Sequence, residues 1–165
     1  MKINRASLKY GVPEVIEDDL DFSMVELDPT HIKKIENCHV KIEAIDYESI
    51  LHISLEIKSK VIGVCSYTLE DVELNINTKD SLDFSDDEND EEMYHETGNI
   101  IDLDPYILGI LLANVPVRII KKGAKLPKDG HGYRVLSEDD YLKEQSEKKD
   151  SRWDKLDSVK FSDED

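Results

Sequence analysis

Cysteine, tryptophan and positive charge are all scarce in this chain. Cys38 and Cys65 are the only cysteines. They form no C-x-x-C pair, so neither a zinc site nor a dithiol redox motif is expected, and no cofactor of any kind. The longest apolar run lies within Tyr106 to Ala113, far short of the roughly 20 residues of a membrane-spanning helix. Met1-Lys2-Ile3-Asn4-Arg5-Ala6 carries no apolar stretch before a cleavage site. A cytoplasmic location with reduced thiols is therefore expected, without a membrane partner. Lys and Arg number 21 against 38 Asp and Glu, a net charge of −17. Such a field repels phosphate at long range and disfavours broad, salt-driven nucleic-acid binding, while it favours basic partners.

What the chain does contain is alternation. Its 165 residues fit one domain, predicted over residues 1–142, with a charged C-terminal segment over 143–165. Val40, Ile42 and Ala44 alternate with Lys41 and Glu43, as in a half-buried strand. Leu51, Ile53, Leu55 and Ile57 alternate with His52, Ser54, Glu56 and Lys58. That period of two puts all four aliphatics on one face. A third strand is predicted over Lys60 to Cys65 and a fourth over Val72 to Thr78, with Val72, Leu74 and Ile76 facing inward. Short connections make neighbouring strands antiparallel. Residues 1–30 give mixed signals.

Asp80, Asp83, Asp86, Asp87, Glu88, Asp90, Glu91 and Glu92 follow with no Lys or Arg between them. Few apolar groups are present to order this run, so a mobile acidic loop is predicted over 80–97, outside the packed core. It lacks the central Gly and the alternating carboxylates of a calcium loop. Beyond it, Asp104 is predicted to cap a helix that starts at Pro105 and ends at Asn114. Tyr106, Ile107, Leu108, Ile110, Leu111 and Leu112 make that helix apolar on nearly every side, the mark of a buried element. The class read from these pieces is α+β: an antiparallel meander of about four to six strands, covered by a short apolar helix.

Arg118, Lys121, Lys122, Lys125 and Lys128 form the only basic cluster, with no acid among them. Tyr133-Arg134-Val135-Leu136 is predicted as a short strand after it, and Ser137 as the N-cap of a charged helix. Arg118, Lys121, Lys122, Lys125, Lys128 and Arg134 are the candidate RNA-binding residues, because a local cluster can bind phosphate in a salt-sensitive way. Arg152-Trp153, Leu156 and Val159 have the spacing of one face of a short helix. No nucleophile–base arrangement stands out, and the five histidines lack metal-ligand spacing, so no catalytic residue is assigned. Ser66, Tyr67 and Glu70 give Cys65 no positive field, so it is read as a buried structural thiol.

Three segments, in order, resemble the YceD family, the bacterial large ribosomal RNA subunit accumulation proteins, in their Firmicutes/Mollicutes-type form. The first is Cys65-Ser66-Tyr67-Thr68-Leu69 at a strand junction. The second is Ile100-Ile101-Asp102-Leu103-Asp104-Pro105-Tyr106-Ile107, continuing to Val115-Pro116. The third runs from Gly132 to Asp140 and ends with Asp150, Arg152 and Leu156. The motif residues carried over are thus Cys65, Ser66, Thr68, Leu69, Asp102, Leu103, Pro105, Pro116, Asp150, Arg152 and Leu156. Thr68 stands where many members have a second cysteine, Tyr67 where a basic residue is common, and Ser151 where a proline is usual. No cysteine follows Pro116, so no metal site is implied. The resemblance implies a non-enzymatic factor for synthesis, processing or stability of 23S rRNA. It would bind the large-subunit rRNA precursor, a basic large-subunit ribosomal protein, or both. The alternative is an acidic chaperone or adaptor for a basic protein without RNA contact.

Overall fold

Aliphatic alternation continues well past the segments where the pattern is cleanest, and it builds three long strands. The computed structural model describes residues 1–47, 49–87, 90–96 and 98–147. In chain order its elements are β1 (Lys2–Asn4), β2 (Glu14–Leu20), β3 (Ile32–Tyr47), β4 (Ile50–Val64), β5 (Asp71–Ser85), β6 (Tyr94–His95), β7 (Ile100–Asp102), α1 (Asp104–Ala113) and α2 (Glu138–Glu147). The order β2-β3-β4-β5-β6 forms a five-stranded sheet, and β1-β7 a two-stranded one. All pairs are antiparallel except β5 with β6, which is parallel. The fold is α+β, as the sequence pattern predicts.

The strands predicted separately at 51–57 and 60–65 are one, β4. Ser59 breaks the apolar row but not the strand. It lies on the inward face, buried, and its hydroxyl donates to the Asn37 carbonyl at 2.6 Å. A satisfied polar group can occupy a core position. Val40, Ile42 and Ala44 of β3 and Leu51, Ile53, Leu55 and Ile57 of β4 face one core. The α1 helix lays Ile107 and Leu111 onto it, with Ile3 of β1 and Ile101 of β7 beside them. β2 was not foreseen: Ile16, Asp18 and Leu20 stand opposite Ile42, Val40 and Cys38, and its acids obscure the alternation.

The acidic run is also placed differently. Strand β5 continues through Asp80 to Ser85, so its start belongs to the sheet rather than to a loop outside the core. Leu82 and Phe84 are buried, and the Phe84 ring meets Tyr106 edge-on at 5.2 Å and Tyr94 at 5.7 Å. Flanking acids are tied down as well. Asp83 pairs with His52 at 2.6 Å, Asp86 with Arg5 at 2.5 Å, and Glu96 accepts from the Tyr106 hydroxyl at 2.6 Å.

At the start of α1 the cap is Leu103, with no side-chain cap bond; the Asp102 carboxylate accepts from the Asp104 N–H at 3.1 Å. Asp104 instead pairs with the N-terminal amine. Asn114 ends the helix as its C-cap. The chain divides into one compact unit over Met1–Ala124 and a second that begins at Lys125. In the second, the strand predicted at 133–136 is reduced to a single bridge between Gly130 and Tyr133. Ser137 does cap α2, its Oγ accepting from the Asp140 N–H at 3.1 Å. Among the described residues no helix is long and apolar enough to cross a membrane.

Candidate functional site

The turn between β4 and β5 is a knot of short-range bonds. Cys65 N–H donates to the Glu70 carbonyl at 2.8 Å, and Leu69 N–H to the Cys65 carbonyl at 2.9 Å. Leu69 takes a positive φ of 58°, uncommon for a residue with a Cβ, and its side chain is 74% exposed. Onto this turn the chain after Pro116 is strapped. Ser66 N–H donates to the Ile119 carbonyl at 2.8 Å, and Lys121 N–H to the Cys65 sulfur at 3.3 Å. Ile119 is buried beneath, while Val117 on the same segment is 95% exposed.

Two of the basic residues complete the assembly. The Arg118 guanidinium sits 5.2 Å over the Tyr67 ring, within cation–π range. Lys121 Nζ lies 3.2 Å from the Glu70 carboxylate, which also accepts from the Thr68 hydroxyl at 3.1 Å. The Lys121 ammonium, then the Thr68 hydroxyl, hold the Glu70 carboxyl below its usual range. Thus Thr68, Glu70, Arg118 and Lys121, separated by some fifty positions in the chain, make one surface over the buried Cys65. Lys122 stands exposed beside it.

Cys65 is fully shielded from solvent, in agreement with its reading as a buried thiol. Its acidity is not that of an inert one. The Lys121 N–H, then the Thr68 hydroxyl, pull it down from the ordinary 9.0 to about 7, against the opposing effect of burial. The largest of these contributions has no local sequence signal, because the Lys121 N–H arrives from 56 positions further along the chain. Cys38 shows the reverse: burial pushes it up to about 11.

Of the six candidate RNA-binding residues, Arg118, Lys121 and Lys122 belong to the first unit, and Arg118 and Lys121 come together at this turn. Lys125, Lys128 and Arg134 belong to the second. There Lys125 and Lys128 are exposed, and Arg134 Nη2 pairs with Glu144 at 2.8 Å. Among the family-motif residues, Cys65, Ser66, Thr68 and Leu69 form the turn. Pro105 opens α1 after Asp102 of β7 and the buried Leu103, and Pro116 precedes the strap. Asp150, Arg152 and Leu156 lie outside the described residues.

A second constellation went unseen in the sequence. On the outer face of the sheet, His52 Nδ1 lies 2.6 Å from Asp83 Oδ1 and His52 Nε2 lies 3.2 Å from Ser54 Oγ. Ser54 and His52 are two apart on β4, and Asp83 is directly opposite His52 on β5. The order of groups is that of an acyl-transfer triad, but its setting differs. The backbone of β4 around Ser54 is paired on both sides, with β3 and with β5. Its N–H groups are engaged in the ladder and cannot converge on an oxyanion. Among the described residues, no group of His, Cys, Asp and Glu is placed to hold a metal ion.

A protein-family model described as "Large ribosomal RNA subunit accumulation protein YceD" matches residues 53–160, which include both the turn and its strap. Neither the curated proteins nor the solved structures contain a match to the chain.

Proposed function

The chain belongs to the YceD family of large ribosomal RNA subunit accumulation proteins, and from that premise we propose that it acts as a non-enzymatic factor in large-subunit biogenesis. It supports synthesis, processing or stability of 23S rRNA in the cytoplasm by binding the rRNA precursor through the β4–β5 turn and its strap. The observation that carries this reading is the convergence of the family's Cys-Ser-x-Thr-Leu turn with Arg118 and Lys121, Lys122 being the next residue along the strap. At physiological salt the Debye length is about 8 Å. Phosphate that reaches this surface therefore meets its local cations more strongly than the distant acids. Tyr67 and Arg118 add flat surfaces of the kind on which unpaired bases stack.

The test is cross-linking in cells, comparing wild type with the triple variant Arg118→Ala, Lys121→Ala, Lys122→Ala. The variant is expected to recover less precursor RNA, and its residual association to depend less on salt, because fewer phosphates are neutralised. Normal recovery by a folded variant would reject this surface.

A second reading draws on the charges that are already engaged. Lys121 is held by Glu70 and Arg134 by Glu144, and the chain carries −17 overall. Both favour an acidic adaptor for a basic large-subunit ribosomal protein, without RNA contact.

A further inference from the structure

The two edges of the five-stranded sheet are built differently. β2 forms one edge. It is short, and Asp18 stands opposite the fully buried Val40, a charge on the core-facing side. Inward charges and short length are how edge strands are kept from pairing with other chains. β5 forms the other. It pairs with β4 along its whole length from Asp71 to Ser85 without a register shift, whereas the β3–β4 ladder has two irregularities. On its far side β5 meets only β6, at Phe84 and Ser85. Among the described residues, the ladder from Asp71 to Asp83 thus ends in an unpaired row of backbone N–H and C=O groups.

The side chains along this edge are unfinished in the same way. Val72, Leu74 and Ile76 face the core but remain only half-buried. Val61 and Ser59, which stand opposite Leu74 and Ile76 on β4, are buried. The difference is the missing strand on the outer side. From Val72 to Thr78 the strand has no proline, no bulge and no inward charge; the first such charge is the exposed Asp80.

We propose that the β5 edge between Val72 and Thr78 takes up an extended basic segment of a protein partner as an added strand. Main-chain bonds would supply the pairing, and alternate aliphatic side chains would complete the burial of Val72, Leu74 and Ile76. Charge selects the occupant. The strand carries Asp71, Glu73, Asp80 and Asp83; Lys33, Lys60 and His52 pair with the first, second and fourth of these, and the strand's one cation, Lys79, is bridged to Glu56 at 3.5 Å. Among the described residues Asp80 makes no ion pair. A second copy of this chain would bring another −17 to the contact, while an extended Lys- or Arg-rich segment meets Asp80 and the attraction of the chain's net negative charge. The proposal deepens the adaptor reading by giving it a surface. It stands apart from the turn at 65–70, so loss of RNA association in the strap variant leaves it untouched.

The test uses the full chain and a fluorophore-labelled peptide, acetyl-Lys-Val-Lys-Val-Lys-Val-Lys-amide, with the Glu-Val analogue as control. Anisotropy should show binding of the Lys-Val peptide and none of the Glu-Val peptide. Native-state amide exchange of the wild-type protein should then show new protection within Val72–Thr78, at the amides that do not donate to β4. Ile76→Lys, an inward charge on the edge, should weaken binding about tenfold or more, as expected for burying one unpaired charge. Asp80→Lys, an exposed change, should weaken binding of the Lys-Val peptide. Protection that appears only elsewhere overturns the proposal, as does equal binding of both peptides. It fails equally if an RNA oligonucleotide protects the same amides, or if the free protein sediments as a dimer that Ile76→Lys dissociates.

Discussion

Cys38 and Cys65 are both shut away from solvent, yet their thiols move in opposite directions. Cys38 sits among aliphatic groups, and nothing compensates for burying its charge, so burial raises it to about 11. At Cys65 the Lys121 N–H and the Thr68 hydroxyl favour the thiolate, which lowers it to about 7. The thiolate absorbance of the native protein should therefore rise in two separate steps, near pH 7 and near pH 11. Cys65→Ala should remove the first and Cys38→Ala the second; Thr68→Val should shift the first upward. Linkage fixes the sign for stability. A folded-state value below the ordinary 9.0 means that the stabilisation is fully present above that ordinary value and is lost as pH falls through about 7. The gain in melting temperature between pH 6 and pH 9 should thus be larger in wild type than in Cys65→Ala. An equal gain in both would show that the strap does not favour the thiolate.

At the level of elements, legibility followed the pattern of burial. Residues 51–57 were readable because every second side chain is aliphatic and fully shielded. The α1 helix was readable because it is apolar almost all round and stops at Asn114. The end of β5 was not, because Leu82 and Phe84 are spaced among acids whose charge dominates any window. Its role in the core gives a direct test. Phe84→Ala should cost about 3–5 kcal/mol in urea unfolding, the usual range for a buried aromatic. Glu91→Gln, exposed and without a bonded partner, should change stability by about 0.5 kcal/mol or less. The strap was unreadable for another reason: no local pattern tells that residues 117–122 return to a turn made some fifty positions earlier. Gly63 is part of what permits this return, since a Cβ there would collide with the Ile119 side chain and touch Leu74. Gly63→Ala should keep the sheet but loosen the strap. The readouts are faster exchange of the Lys121 amide and a Cys65 titration moved back toward the ordinary thiol value. Unchanged exchange at Lys121 would mean that Ile119 does not anchor the segment.

For the whole molecule, the charge of −17 and the three cations of the strap act over different ranges, and ionic strength separates them. At about 0.01 M salt the Debye length is about 30 Å, so approaching RNA meets the field of the entire chain and is repelled. At about 0.15 M it shrinks to about 8 Å, and RNA close to the turn meets mainly Arg118, Lys121 and Lys122. At about 1 M even these are screened, over about 3 Å. The association rate with a large-subunit rRNA fragment is therefore expected to rise and then fall as salt increases. A basic ribosomal protein meets attraction at every range, so its association rate should only fall. Stopped-flow measurement of both across this salt range distinguishes the two readings of function. A maximum for RNA that disappears in the Arg118, Lys121 and Lys122 triple variant places the rRNA contact at the turn. If RNA association stays slow at every salt concentration while the basic protein binds fast at low salt, the acidic field itself is the working surface, and the adaptor reading holds.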